Sequence, residues 1–428
     1  MLLAIGQAYG GLSELALAEK TLRTALDSAK TQNDPSAQVE IMLALGSVVG
    51  QNTRDDEALA LLQQAAQTLA GAGASTEPAR QQHISHLLDL HLARQLNNMR
   101  REPEALPYLE RALATIKSEF GETSAELSDL LPLYAIILSS LGRSKDALNV
   151  VEQSYAAAQA EPGLPATRRM GFAEALAFTS LNQGRYPQAE RAFREVLAIE
   201  EQIYDVGQLQ TTSTLSNVAV ALLRQERFAQ ASALFEQVVA IRKRFLEPND
   251  VRIARALFNV ATAQRSAGAM IRAQELLNQG LELWDRSGAT REDLYVSALL
   301  ELALINEDSG QIALAAATAN RWQVYTNGAL QSYAGKRMDR ILVLLARLED
   351  RQKSTTSACT AANVVFGAAK IRDSVRVEAL VLKAHCERRH DQQTQAQQTL
   401  AQLDQYSALL GELSSYSRAL YEGMLVKR

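Results

Sequence analysis

Apolar residues along this chain recur at the three-and-four spacing of helices buried along one stripe, and short polar, glycine- or proline-bearing stretches interrupt them at regular intervals. The clearest stretch is Thr211 to Ala267, where Asn217 and Asn259, and likewise Ala219 and Ala261, stand 42 residues apart. Each pair lies in an amphipathic segment that leads through a tight turn into a second one. A column of alanines marks the second segment: Ala18, Ala58, Ala105, Ala147, Ala189, Ala231, Ala273, Ala315, Ala358 and Ala396. Five consecutive steps in that column are 42 residues, and the others run from 38 to 47. Four residues after each alanine comes an apolar residue on the same helical face, among them Leu22, Leu62, Leu109, Phe193 and Phe235. Twelve residues before it the residue is always small, from Gly6 and Gly46 to Ala346 and Ala384. Two antiparallel helices joined by a short turn interlock where one offers a small side chain to the bulky side chain of the other.

The pattern predicts an all-α chain, a right-handed α-solenoid of about ten antiparallel helix hairpins over residues 1–410 with a capping helix at 411–428. Approximate units are 1–33, 34–74, 75–120, 121–161, 162–205, 206–247, 248–288, 289–331, 332–369 and 370–410. Gly142, Gly184, Gly268 and Gly310 each stand five residues before a marker alanine, where a left-handed residue can end the first helix. Pro103 and Pro187 take the first turn of second helices, whereas Pro107 and Pro132 fall inside predicted helices and are expected to kink them. In the capping helix Leu413, Tyr416, Leu420 and Met424 should point inward. Met1 lands inside the first helix, with nothing upstream to shield Leu2, Ile5 and Tyr9, so the reading expects a chain that continues upstream. A frayed but genuine start is the alternative.

The segment LNQGRYPQAERAF of the fifth unit resembles the tetratricopeptide repeat, and the 42-residue form resembles its kinesin-light-chain-like subtype of bacterial type. The resemblance implies a concave groove, lined by the first helices, that holds short peptide segments. The Lys/Asn clamp of members that bind chaperone C-termini has no counterpart here.

Composition narrows the job. Net charge is −4, too mild for nucleic acid or an anionic membrane as main partner, and no apolar run is long enough to span a membrane. Phosphate loops, nucleophile elbows and zincin motifs are absent, so no enzyme, cofactor or metal is expected. His83, His86 and His91 share one helix and read as surface histidines; His385 and His390 fare no better as ligands. Cys359 and Cys386 read as buried free thiols in a cytoplasmic protein, with an extracytoplasmic sensor region as the alternative if they are linked.

Groove-facing side chains are taken at offsets −2, +1, +4 and +5 from the small residue, about 40–160° round each first helix. These are Asn217, Val220, Leu223 and Arg224 in the sixth unit and Asn259, Thr262, Arg265 and Ser266 in the seventh. The third supplies His91, Arg94, Asn97 and Asn98, the ninth Arg347 and Arg351, and the tenth His385, Arg388 and Arg389. The eighth stands apart with Glu301, Glu307 and Asp308. Asparagine both donates to and accepts from a peptide group, and arginine pairs carboxylates. The expected function is therefore a non-enzymatic scaffold or adaptor gripping an extended, acidic peptide through Arg94, Asn98, Asn217, Val220, Arg224, Asn259, Thr262 and Arg265. The alternative is the C-terminal regulatory or sensor portion of a larger bacterial signalling protein, a Ser/Thr kinase or transcriptional regulator.

Overall fold

Amphipathic stretches of 9 to 21 residues, most of them closed by tight turns, become helical hairpins in the computed structural model. It describes residues 1–11, 14–71, 78–204, 207–289, 293–326, 343–344, 347–348, 351, 373–389 and 392–425. Among these, regular structure is entirely helical. The chain forms two compact units, Met1–Gln225 and Glu226–Arg428.

The first unit holds α1 (Leu2–Gly11), α2 (Leu15–Thr31), α3 (Pro35–Gln51), α4 (Asp55–Gly71), α5 (Pro78–Asn98), α6 (Glu102–Glu119), α7 (Ala125–Ser140), α8 (Ser144–Ala160), α9 (Ala166–Asn182), α10 (Tyr186–Tyr204) and α11 (Thr212–Arg224). Odd-numbered helices open hairpins and even-numbered ones close them. First helices also pack directly on one another, α1 on α3, α3 on α5, α5 on α7 and α7 on α9, and so line one face of the unit.

The marker column explains the packing. Ala18, Ala58, Ala105, Ala147 and Ala189 are fully buried, as are Ala93, Ala177 and Ala219 at the small position of the first helices. Glycine is needed where the helices come closest. A Cβ added to Gly6 would stand 2.6 Å from Cγ of Leu22, the bulky residue four after the marker. In each described turn of units two to eight, the residue five before the marker is left-handed. Glycine fills it at 142, 184, 268 and 310, but Thr53 (φ 60°), Arg100 (φ 60°) and Glu226 (φ 62°) adopt the same conformation against their Cβ sterics.

Local chemistry sets the helix starts. Asp34 caps α3 by accepting from the Ala37 N–H at 3.0 Å, and Ser124 caps α7 by accepting from Leu127 at 3.2 Å. Pro107 and Pro132 do lie inside α6 and α7, and each removes one N–H from the helical ladder.

The second unit holds α12 (Phe228–Phe245), α13 (Val251–Ser266), α14 (Met270–Ser287), α15 (Asp293–Asp308), α16 (Ile312–Thr326), α17 (Asp373–Arg389), α18 (Gln393–Ala401) and α19 (Ser415–Leu425). A 3₁₀ stretch, Gln402–Glu412, joins the last two. Its core continues the same column, with Ala231, Ala273, Ala315 and Ala396 fully buried; Ala346, Ala358 and Ala362 lie outside the described residues. Trp284 and Tyr295 meet edge to face at 6.1 Å in its centre. Leu413 and Met424 join Val377, Leu380, Val381 and Ala384 of α17 in one buried cluster, which Leu420 flanks. No described helix is long and apolar enough to cross a membrane.

Candidate functional site

The first-helix face of the first unit opens into a cavity of about 450 Å³ lined by α1, α3 and α5, with Leu3, Gln7, Leu43, Ser47, Leu87 and His91 in its wall. A second hollow of about 170 Å³ continues it past Gly46 and Gly50 to Arg94, Gln95 and Asn98. Arg94 and Asn98 are exposed, and the buried Gln95 donates to the side chain of Asp55 at 2.8 Å. The lining also uses offsets −6 and −3 from the small residue, Leu87 and Leu43 among them, which the sequence reading left out. Offset −6 lies about 120° round the helix, inside the expected arc, so the helical period extended toward the N-terminus would have found it.

His91 sits half-buried in this wall. Burial, with the Arg94 guanidinium beside it, depresses its pKa to about 4. His86 is not a surface histidine, because it is only 2% exposed and its ring meets Phe120 at 5.4 Å and His83 at 4.9 Å. Phe120 ends the neighbouring α6, so the apolar stripe of α5 runs through position 86. Among the described residues no group of three potential ligands could hold a metal ion, and His390 lies outside them.

Farther along, α7 and α9 present Asp129, Ile136, Glu174 and Phe178. Ile136 is 46% exposed and Phe178 41%, large fractions for such side chains in a packed array. Phe178 rests edge-on against the buried Phe193 at 5.0 Å, which fixes its ring. Partial burial, then the charge of Glu126, raises the Asp129 pKa, with Arg94 opposing. Burial, then Glu200 and Asp129, raises that of Glu174. Glu200, on α10, is raised by burial, although a hydrogen bond with Thr214 opposes the shift. In α11, Asn217, Val220 and Leu223 are half-buried and Arg224 is exposed.

The second unit treats the same offsets differently. Arg265 is not a free guanidinium: it pairs with Glu301 at 2.6 Å. The Thr262 hydroxyl donates to the Phe258 carbonyl at 2.9 Å, and Asn259 is half-buried. Arg347 is buried rather than displayed. It donates to both oxygens of Glu307, Nε at 2.8 Å and Nη2 at 2.5 Å, and Nη1 donates to Glu378. Burial opposes its charge, but Glu378 and Glu307 outweigh that and raise its pKa. Arg351 pairs with Glu307 at 3.1 Å and stacks 5.3 Å over the Tyr416 ring. Glu378 also accepts from Ser414 at 2.6 Å and Ser417 at 2.9 Å. These arginines are taken up by carboxylates of the chain itself, on the following first helix for Arg265 and on the preceding one for Arg351, with Arg347 bonded in both directions.

Cys386 likewise departs from expectation. It is disulfide-bonded, not a free thiol, and is 7% exposed on the packed face of α17; Cys359 lies outside the described residues. Burial shields the Cys386 sulfur from attacking thiolates.

The tetratricopeptide-repeat family model matches residues 85–160, 170–244 and 210–286. Residues 85–160 and 170–286 are tetratricopeptide repeats. Among solved structures, the apo form of RapI is 12% identical at a TM-score of 0.53, covering 90% of this chain and 95% of that one. The apo form of the quorum sensor NprR from B. thuringiensis is 14% identical at 0.51, covering 85% and 97%. Kinesin-light-chain TPR-like repeats from Podosopora anserina are 21% identical at 0.42, covering 48% and 96%. A comparison with curated protein sequences finds no match. The likenesses to RapI and NprR establish the fold.

Proposed function

We propose that this protein is a non-enzymatic scaffold whose first-helix face holds an extended segment of another polypeptide. The observation that carries this reading is the pair of adjoining hollows along α1, α3 and α5, of about 450 Å³ and about 170 Å³, which share Ser47, Gln51 and His91, with Arg94 and Asn98 in the wall of the smaller. Neighbouring first helices stand about 10 Å apart, the span of about three extended residues, so each hairpin can grip the next piece of backbone. Arg94, Asn98, Asn217, Val220 and Arg224 offer amides, guanidiniums and apolar surface in the first unit. In the second unit Asn259 and Thr262 hold the corresponding offsets, while Arg265 is engaged with Glu301.

A photo-crosslinking amino acid placed at Asn98 or Ser140, both exposed on first helices, tests the reading against the same group at Arg191, exposed on second helix α10. The expected result is one partner segment captured from both groove positions and none from Arg191. Capture at Arg191 alone would end the groove reading.

The disulfide at Cys386 favours an oxidising compartment over the cytoplasm, since such bonds persist where thiols are not kept reduced. Mass spectrometry of native protein after alkylation without reductant should find Cys386 unmodified. Full alkylation would return the protein to a reducing compartment.

A further inference from the structure

The first unit exposes apolar side chains at one repeated place. Ile136 in α7, Phe178 in α9 and Val220 in α11 all stand one residue after the small packing position, at steps of 42 residues. Ile136 and Phe178 are 46% and 41% exposed, and Val220 is half-buried. Packing does not require this, because the corresponding residue is Ser47 in α3 and Arg94 in α5. Carboxylates accompany the row on the same helical faces. Asp129 lies seven residues before Ile136, two helical turns, and Glu174 lies four before Phe178. Arg94 is the cation that acts on Asp129, while Asp129 and Glu200 both act on Glu174; Arg224 stands one turn beyond Val220, so negative charge outweighs positive around Ile136 and Phe178, at the α7 and α9 end of the row.

We infer that Ile136, Phe178 and Val220, with Asp129 and Glu174 beside them, form a docking strip for an extended basic segment of a partner protein, with apolar side chains at every third residue and lysine or arginine between. This deepens the groove reading above and rests on it. The repeat of the segment follows from the spacing of the strip. In a polyproline-II-like chain every third side chain points the same way and three residues rise about 9 Å, close to the separation of neighbouring first helices. The charge follows from the carboxylates: a lysine or arginine seated there would relieve their mutual repulsion, and a glutamate would add to it.

The test uses the full chain and labelled peptides of about nine residues built on a Leu-x-x repeat, with x as lysine, glutamine or glutamate, read by fluorescence polarisation. The lysine peptide should bind at least about tenfold tighter than the glutamate peptide, with glutamine between. In Asp129→Asn/Glu174→Gln that gap should collapse to about twofold while the glutamine peptide keeps its affinity. Phe178→Ser should weaken all the peptides, and circular dichroism of each variant checks that it is folded. Equal affinity across the set, a gap that survives the double variant, or no binding at all would overturn the strip. Loss of crosslinking at Asn98 and Ser140 with capture at Arg191 would instead overturn the groove reading beneath it.

Discussion

The two compact units put the groove faces of their hairpins to opposite service. In the first, the first helices leave Ile136 and Phe178 in solvent and carry Asp129 and Glu174, with Glu200 of α10 nearby and insufficient compensation. In the second, groove offsets supply Arg265, Glu307, Arg347 and Arg351, which pair with acids or arginines of the same unit, Glu301 and Glu378 among them. A groove residue that has found a partner within its own chain adds to stability and offers little to a ligand. One left without a partner costs stability and keeps its bonding capacity for something else.

The largest expected effect breaks the closed half of that comparison. Arg347→Met leaves Glu307, whose side chain is 6% exposed, buried without its principal cation. Removing one partner of such a pair costs about 3–5 kcal/mol, to be read from chemical denaturation. The matching change in the open unit, Arg94→Met, should move stability by less than about 0.5 kcal/mol, because Arg94 is exposed.

Acid separates the two kinds of group within the first unit. His91, with its folded pKa lowered to about 4 from 6.5, is neutral when folded, so the unfolded chain takes up its proton first as pH falls. The stability it contributes is complete above pH 6.5 and is lost as pH drops toward 4. Asp129, Glu174 and Glu200 act in the opposite sense: their folded pKa values are raised, so protonating them on acidification relieves the fold. Wild type should therefore lose about 2 kcal/mol more than His91→Gln between about pH 7 and about pH 4.5 in denaturant titrations.

A smaller effect runs toward greater stability. Thr53→Gly and Glu226→Gly remove a Cβ from left-handed turns and should each add about 1 kcal/mol, visible as a raised melting temperature. The smallest is Arg265→Gln. Its pair with Glu301 is partly exposed, 37% and 26% at the two side chains, so a loss of at most about 1 kcal/mol is expected, shrinking with added salt.

The architecture was legible because close helix approach leaves few choices. A residue such as Ala177 or Gly46 must be small whatever the protein binds, so its recurrence shows through an otherwise variable sequence. Groove chemistry was less legible. Arg347 and Arg351 looked like exposed binding residues because their partner, Glu307, lies 40 and 44 residues away on the preceding first helix. A helical wheel drawn for one hairpin cannot contain that partner. His86 was misjudged for the same reason, since Phe120, which covers it, belongs to the next helix. Asp129 lies about 120° round α7 from Ala135, in the groove direction, but six residues before it, beyond the turn and a half that offsets −2 to +5 span.

Ion pairs such as Arg351–Glu307, bridging 44 residues, are about as far along the chain as most of the described packing reaches, helix against next or next-but-one. Ordering such a chain requires closing only short loops, so folding can begin at any well-packed hairpin and spread to its neighbours. Hydrogen exchange should then show protection graded from one hairpin to the next, with each amide reporting the health of its immediate surroundings.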